Sequence, residues 1–172
     1  MENLNKISKS ILFLTLISFV IYTGSYLTKL VLIGQFFDAE TMQIKTMFAK
    51  QDLTLTLQLL LPAFSVTLIF YAAFLLFYFL FLILSKVSFR KYGWLFIITI
   101  ILLVTMPFEI YLILEYDWKI INSLFYMNFD QSYLVELLKN RIIDLGPFPL
   151  VLLFSNILII LLATFKPLQK TQ

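Results

Sequence analysis

Six ionisable residues carry most of the acid–base chemistry this chain can offer. Lys29 and Glu109 interrupt long apolar runs, while Asp38, Glu40, Glu115 and Asp117 stand near the ends of such runs. Carboxylates of the second kind could bind a divalent metal or act as general acid and base. Glu115 and Asp117, however, are two residues apart, a spacing that does not bring side chains to one helical face. Histidine and cysteine are both absent. This removes thiol redox chemistry, Cys/His zinc sites, His-ligated haem and every His-based triad. With 4 glycines in the chain, neither a phosphate-cradling loop nor a nucleophile elbow is present. No catalytic residue, metal or cofactor is expected, and Asp38, Glu40, Glu115 and Asp117 form the only acidic set from which an enzyme reading could start.

Lys29 and Glu109 pose a different question, because a charge inside an apolar run must be neutralised, paired or brought to water. Counted at about 1.5 Å per residue from Ser10 and from Gly93, they lie roughly 28 and 24 Å along their segments. Both therefore fall near the same edge of an apolar layer about 30 Å thick. Two fates are open: each side chain reaches water separately along its own stem, or the two form an ion pair facing a helix-bundle interior. Steps of three and four residues back from Lys29 meet Ser25, Tyr22, Ser18 and Thr15, a polar stripe on one face. Thr105 shares the face of Glu109, Gln58, Ser65, Ala72 and Lys86 recur at multiples of seven, and Asn156 lies in the middle of the last apolar run, with Ala163 seven residues on. Thr15, Ser18, Tyr22, Ser25, Ser65, Thr105 and Asn156 are thus candidates for one polar interior. Packing through interhelical hydrogen bonds is the commonest use of such groups, a hydrated cavity or an ion path the rarer ones. Pro107 predicts a bend that frees the carbonyl of Leu103.

The elements that must position these groups follow from composition. Of 172 residues, 61% are hydrophobic and 13% charged, against roughly 45–50% and about 25% in soluble domains. The chain reads as an all-α integral membrane protein, a single domain over 1–172 with four transmembrane helices in a compact bundle. The spans fall at about 11–33, 59–84, 94–114 and 147–165, since each needs about 20 apolar residues. Thr23-Gly24-Ser25 resembles a leader cleavage site, but the apolar run resumes beyond it and exceeds the roughly 7–15 residues of a leader core. Lys6, Lys9, Lys86, Arg90, Lys91, Lys166 and Lys170 cluster at one end of the spans, whereas Lys45, Lys50, Lys119, Lys139 and Arg141 are spread over the longer loops. The positive-inside rule places both termini and the 85–93 loop in the cytoplasm and loops 34–58 and 115–146 outside.

The outer loops carry short amphipathic helices. Asp38 can cap one in which Ile44, Met47 and Phe48 share a face on the membrane surface, and Asp130 can cap another with Leu134, Leu137, Leu138 and Ile142 on one side. Gly146, Pro147 and Pro149 mark the stop before the last span. The alternating Leu53-Thr-Leu-Thr-Leu-Gln-Leu reads as an extension of the second helix, because a lone strand entering a bilayer would leave its backbone unpaired; Pro62 then marks a bend or first turn.

These features predict a small polytopic membrane protein without catalytic machinery, an interaction or assembly subunit. A transporter or channel subunit using the polar interior is the alternative, and a membrane enzyme with outer-face carboxylates the third reading. The expected partners are the lipid bilayer, other membrane proteins and further copies of the chain, with no nucleic acid. The expected location is the cytoplasmic (inner) membrane of a bacterium.

Overall fold

The computed structural model describes residues 5–38, 43–45, 48, 53–126, 130–144 and 146–169, the side chains of 53 and 54 excepted. The described residues are almost entirely helical. In chain order they form α1 (Lys6–Phe36), α2 (Leu53–Gln58), α3 (Leu60–Ser85), α4 (Gly93–Leu112), a π-helical turn (Ile113–Asp117), α5 (Trp118–Phe125), α6 (Gln131–Ile143) and α7 (Phe148–Phe165). Four helical rods, Lys6–Phe36, Leu55–Ser85, Gly93–Phe125 and Phe148–Phe165, are long and apolar enough to cross a membrane.

The pairing of α1 with α3 is the backbone of the fold. Buried positions on α3 run Leu60, Phe64, Thr67, Tyr71, Phe74, Tyr78, Phe81, in alternating steps of four and three. Those on α1 run Thr15, Ser18, Tyr22, Tyr26, Lys29, Ile33, Phe36 in similar steps. Such a spacing keeps one seam facing a partner along the whole helix, which suits two long neighbours at a shallow crossing angle. Aromatic rings fill the seam. Phe74 meets Phe19 at 4.9 Å between ring centroids and Tyr78 at 6.0 Å, and Tyr22 meets Tyr71 at 5.0 Å.

Two apolar clusters result. One joins α1, α3, α4 and α7 through Phe19, Tyr22, Phe74, Phe81, Ile98 and Ile159. The other lies at the far end, where α1 terminates, and gathers Ile33, Phe36, Leu60, Leu112, Ile120, Leu134 and Leu138. The opposite, basic end holds the start of α1, the 86–92 connection and the end of α7. There Tyr92 bridges to Gln169, and Leu168 packs so closely on Gly93 that a Cβ at 93 would lie 2.9 Å from Leu168 Cβ.

Several expectations change at the far end. The rod expected to stop near Leu114 continues to Phe125, with Pro107 inside it; its irregularity falls at the π turn. The alternating 53–58 stretch is helical, as expected of an extension of the second helix, and the break sits at Leu59, because Pro62 cannot donate to, and would crowd, the carbonyl of Gln58. The first outer loop does not run as one helix from Asp38: Phe37 forms an antiparallel bridge with Ile44, while Phe48 has helical backbone and stacks on Phe36 at 4.9 Å. Glu40, Met47, Lys50 and Lys170 lie outside the described residues.

Because Phe74 touches rings on both helices of the seam, Phe74→Ala should cost about 3–5 kcal/mol. Leu76→Ala, on the outward face of the same helix, should stay within about 0.5 kcal/mol. Thermal unfolding of the purified variants distinguishes the two.

Candidate functional site

A layer of charge is buried at the near side of the far-end apolar cluster and within it. Lys29 from α1, Glu109 from α4, Asp117 from the π turn and Arg141 from α6 are each at most 1% exposed. Glu109 and Asp117 are eight residues apart, an offset of about 80° on an undisturbed α-helix. The π turn absorbs one extra residue, which reduces the offset to about 20° and turns both carboxylates inward. Arg141 arrives from outside the long rods. Asp130 accepts from the backbone N–H of Ser132 at 2.9 Å and from its hydroxyl at 2.8 Å, starting α6; the two bonds hold the exposed Asp130 carboxyl below its ordinary pKa. Leu134, Leu137 and Leu138 then pack downward, and Arg141 continues their face.

Asp117 is the centre of the layer. Lys29 Nζ donates to its Oδ2 at 2.9 Å. Arg141 donates through Nε to Oδ1 and through Nη2 to Oδ2, the latter at 3.2 Å, the forked arrangement that a planar guanidinium favours. Aromatic faces close the sides, with Lys29 Nζ 5.1 Å from the Tyr26 ring centre and 5.3 Å from that of Phe64, and Arg141 Cζ 5.9 Å from Phe64. Burial works against the Arg141 charge, but attraction and hydrogen bonds from Asp117 more than offset it, and its pKa is raised above the ordinary guanidinium value.

Lys29 therefore pairs directly with Asp117, and neither of the two expected fates is found: Lys29 and Glu109 do not reach water separately, and they form no ion pair with each other. Neither Glu109 oxygen has a hydrogen-bond partner, although the carboxylate is within electrostatic reach of Lys29 and Arg141. Two cations face two carboxylates, so the layer carries no formal net charge when all four are ionised.

The other candidates fall into two groups. Thr15, Ser18, Tyr22, Thr105 and Asn156 are buried, and Thr15 and Thr105 are satisfied within their own helices, donating to the carbonyls of Ile11 and Ile101 at 2.8 and 2.9 Å. Ser25 is half-buried and donates to the carbonyl of Tyr22 at 2.9 Å. Ser65 is half-buried, and Ala72 and Lys86 are exposed, so the sevenfold series on α3 runs beside the interior face; α3 instead places Thr67 and the hydroxyl-bearing Tyr71 and Tyr78 inside. Asn156 approaches the Tyr22 hydroxyl, yet neither Tyr22 Oη nor Asn156 Nδ2 completes a hydrogen bond. Pro107 is exposed on the rod's outer face.

The described members of the acidic set are not brought together. Asp117 faces inward, Glu115 outward to Lys119, and Asp38 is exposed in the first loop. Among the described residues no three His, Cys, Asp or Glu side chains are grouped to hold a metal ion. Sequence reasoning places Asp117 only in the outer acidic set and Arg141 only among the loop cations, not in a buried ion cluster. Arg141 had a signal, since it lies seven after Leu134 and three after Leu138 on the apolar face; Asp117 had none, because nothing in the sequence announces a π turn. The chain matches no protein-family model, and no curated protein or solved structure proves similar to it.

Removing the central acid leaves Lys29 and Arg141 buried against each other, so Asp117→Asn should lose about 3–5 kcal/mol of stability. The joint replacement Lys29→Met, Asp117→Leu, Arg141→Met and Glu109→Gln should recover most of it. The exchange Lys29→Glu with Glu109→Lys should remain as unstable as Lys29→Glu alone, whereas full rescue would make Glu109 the true partner. Thermal midpoints in detergent read all three.

Proposed function

We propose that the chain is a four-span protein of a bacterial cytoplasmic membrane, both termini cytoplasmic, that serves as an interaction or assembly subunit without catalysis. Exposed Val20, Leu76, Ile83, Val104 and Phe154 put apolar surface on all four rods, which suits contact with lipid and would be costly in water. Lys6, Lys9, Lys86, Arg90, Lys91 and Lys166 gather at the basic end. At the far end the described cations outside the charge-bearing interior are Lys45, Lys119 and Lys139, spread singly over two longer loops. This asymmetry supports the basic end as the cytoplasmic one.

The observation that carries the subunit reading is the enclosed charge layer. Its polar groups hold α6 against α1 and the third rod instead of lining a water-filled path. The apolar face of α6 is consumed inside the far-end cluster, so the surface offered to a partner is the opposite one. Tyr133 is exposed on α6, and Trp118, Phe125 and Tyr126 are exposed on and just after the neighbouring α5; large aromatic side chains are the usual anchors of protein contacts. The partner is another membrane protein or a second copy of the chain.

A transporter subunit is the second reading, favoured by the unpartnered Glu109 oxygens, Tyr22 hydroxyl and Asn156 amide in one interior. The absence of native cysteine makes both readings testable. A cysteine at Ser132 should react with a membrane-impermeant thiol reagent on intact cells, and one at Ser88 only after permeabilisation. Cysteines at Ser18 and Asn156 should stay protected; a labelled stripe would favour the transporter. Photo-crosslinking groups at Tyr126 and Tyr133 should give a discrete adduct in native membranes that one at Leu76 does not, and lipid-only adducts at all three would overturn the subunit reading.

A further inference from the structure

A second feature lies at the other end of the bundle, away from the charge layer. A cavity of about 380 Å³ opens between α1 and α7 and reaches inward to α3 and α4, within the roughly 300–1,000 Å³ of small-molecule sites. Its deep end is apolar, formed by Phe19, Phe74 and Ile98, and exposed Leu16, Val20 and Ile160 stand at its rim. The opening therefore faces sideways, along the surface the rods present to their surroundings.

Two polar features mark the end of this cavity nearest the basic terminus. Trp94 lines it, 5% exposed, and its indole N–H is buried without an acceptor. Lys166 also lines it, as the left-handed cap of α7. The bridge from Tyr92 to Gln169 and the packing of Leu168 on Gly93 hold this cap beside the start of α4. Lys6, Lys9, Lys86, Arg90 and Lys91 surround the same end, and no acidic residue is among the described residues of 5–10, 85–93 and 165–169.

We propose that this cavity is a lipid site: it takes one acyl chain of an anionic glycerophospholipid, whose phosphate is held by Lys166 at the basic rim. Shape and charge agree. The apolar end runs toward the middle of the bundle, as a chain descending from the headgroups must, and the polar end lies at the basic rim, where each lysine near an anionic surface adds about a fivefold preference. The inference rests on the membrane reading above and on the basic end lying at a bilayer surface.

The chain contains 2 tryptophans, so each can be watched alone. The full-length Trp118→Phe variant reports Trp94, and Trp94→Phe reports Trp118, which is exposed at the far end. Both are reconstituted in phosphatidylcholine bilayers containing a chain-brominated lipid, either phosphatidylglycerol or phosphatidylcholine. The lipid site requires Trp94 quenching at a lower mole fraction of brominated phosphatidylglycerol than of brominated phosphatidylcholine. Lys166→Gln should reduce that preference about fivefold, and Ala163→Leu, which fills the cavity wall, should remove the quenching while leaving the thermal midpoint near that of the parent. Equal quenching of Trp94 by the two lipids, or none while Trp118 is quenched, overturns the lipid site and leaves the membrane reading standing. Quenching of neither tryptophan overturns both.

Discussion

A buried carboxylate has to be neutralised where it stands, and Asp117 is neutralised by two cations that approach from separate parts of the chain. Lys29 comes from the first helix and Arg141 from the short helix before the last rod. Taking such groups out of water costs several kcal/mol per ion, and only good geometry with complementary hydrogen bonds offsets it. The apolar clusters around the layer could tolerate many substitutions of similar volume. The layer cannot, because its charges cancel only as a set. It fixes the height of α1 against the third rod and the seat of α6, and the two apolar clusters fill in around it.

This division of labour accounts for the polar face of α1. A helix held only by leucine in a lipid-like medium has little to select one rotation over another, since neighbouring lipid is as apolar as the partner helix. Hydroxyls satisfied by their own carbonyls, as at Thr15, Thr67 and Thr105, let helices approach without an unpaired group. The aromatic ladder around Phe74 supplies the contact area, and Lys29 supplies the register.

Long, periodic elements were legible in the sequence because their period comes from the helix itself. All four rods, the Asp130 cap and the buried face of α1 could be read this way. The Lys29 partner could not, because depth along a helix locates a group to within a turn and Glu109 and Asp117 differ by two turns on the same rod. Choosing between them requires the rotation introduced at Ile113–Asp117, a property of how the rod packs and not of local propensity. Ser65 failed for a related reason. Spacing by seven names a stripe but does not say which stripe meets the neighbour, and on α3 the aromatic stripe through Tyr71 and Phe74 wins on contact area.

The separation of Lys29 from Asp117, 88 residues along the chain, has a consequence for biosynthesis on the membrane reading. Synthesis proceeds from the N-terminus at about 5–20 residues per second, so the first helix exists for several seconds before its counter-charge has been made. During that interval an ammonium near a helix end must stay hydrated at the headgroups, and the helix must sit higher in the bilayer than it does when finished. Completion of the third rod and α6 would then draw Lys29 down into place. The ion cluster acts in this sense as a late latch, closing only once nearly the whole chain has emerged.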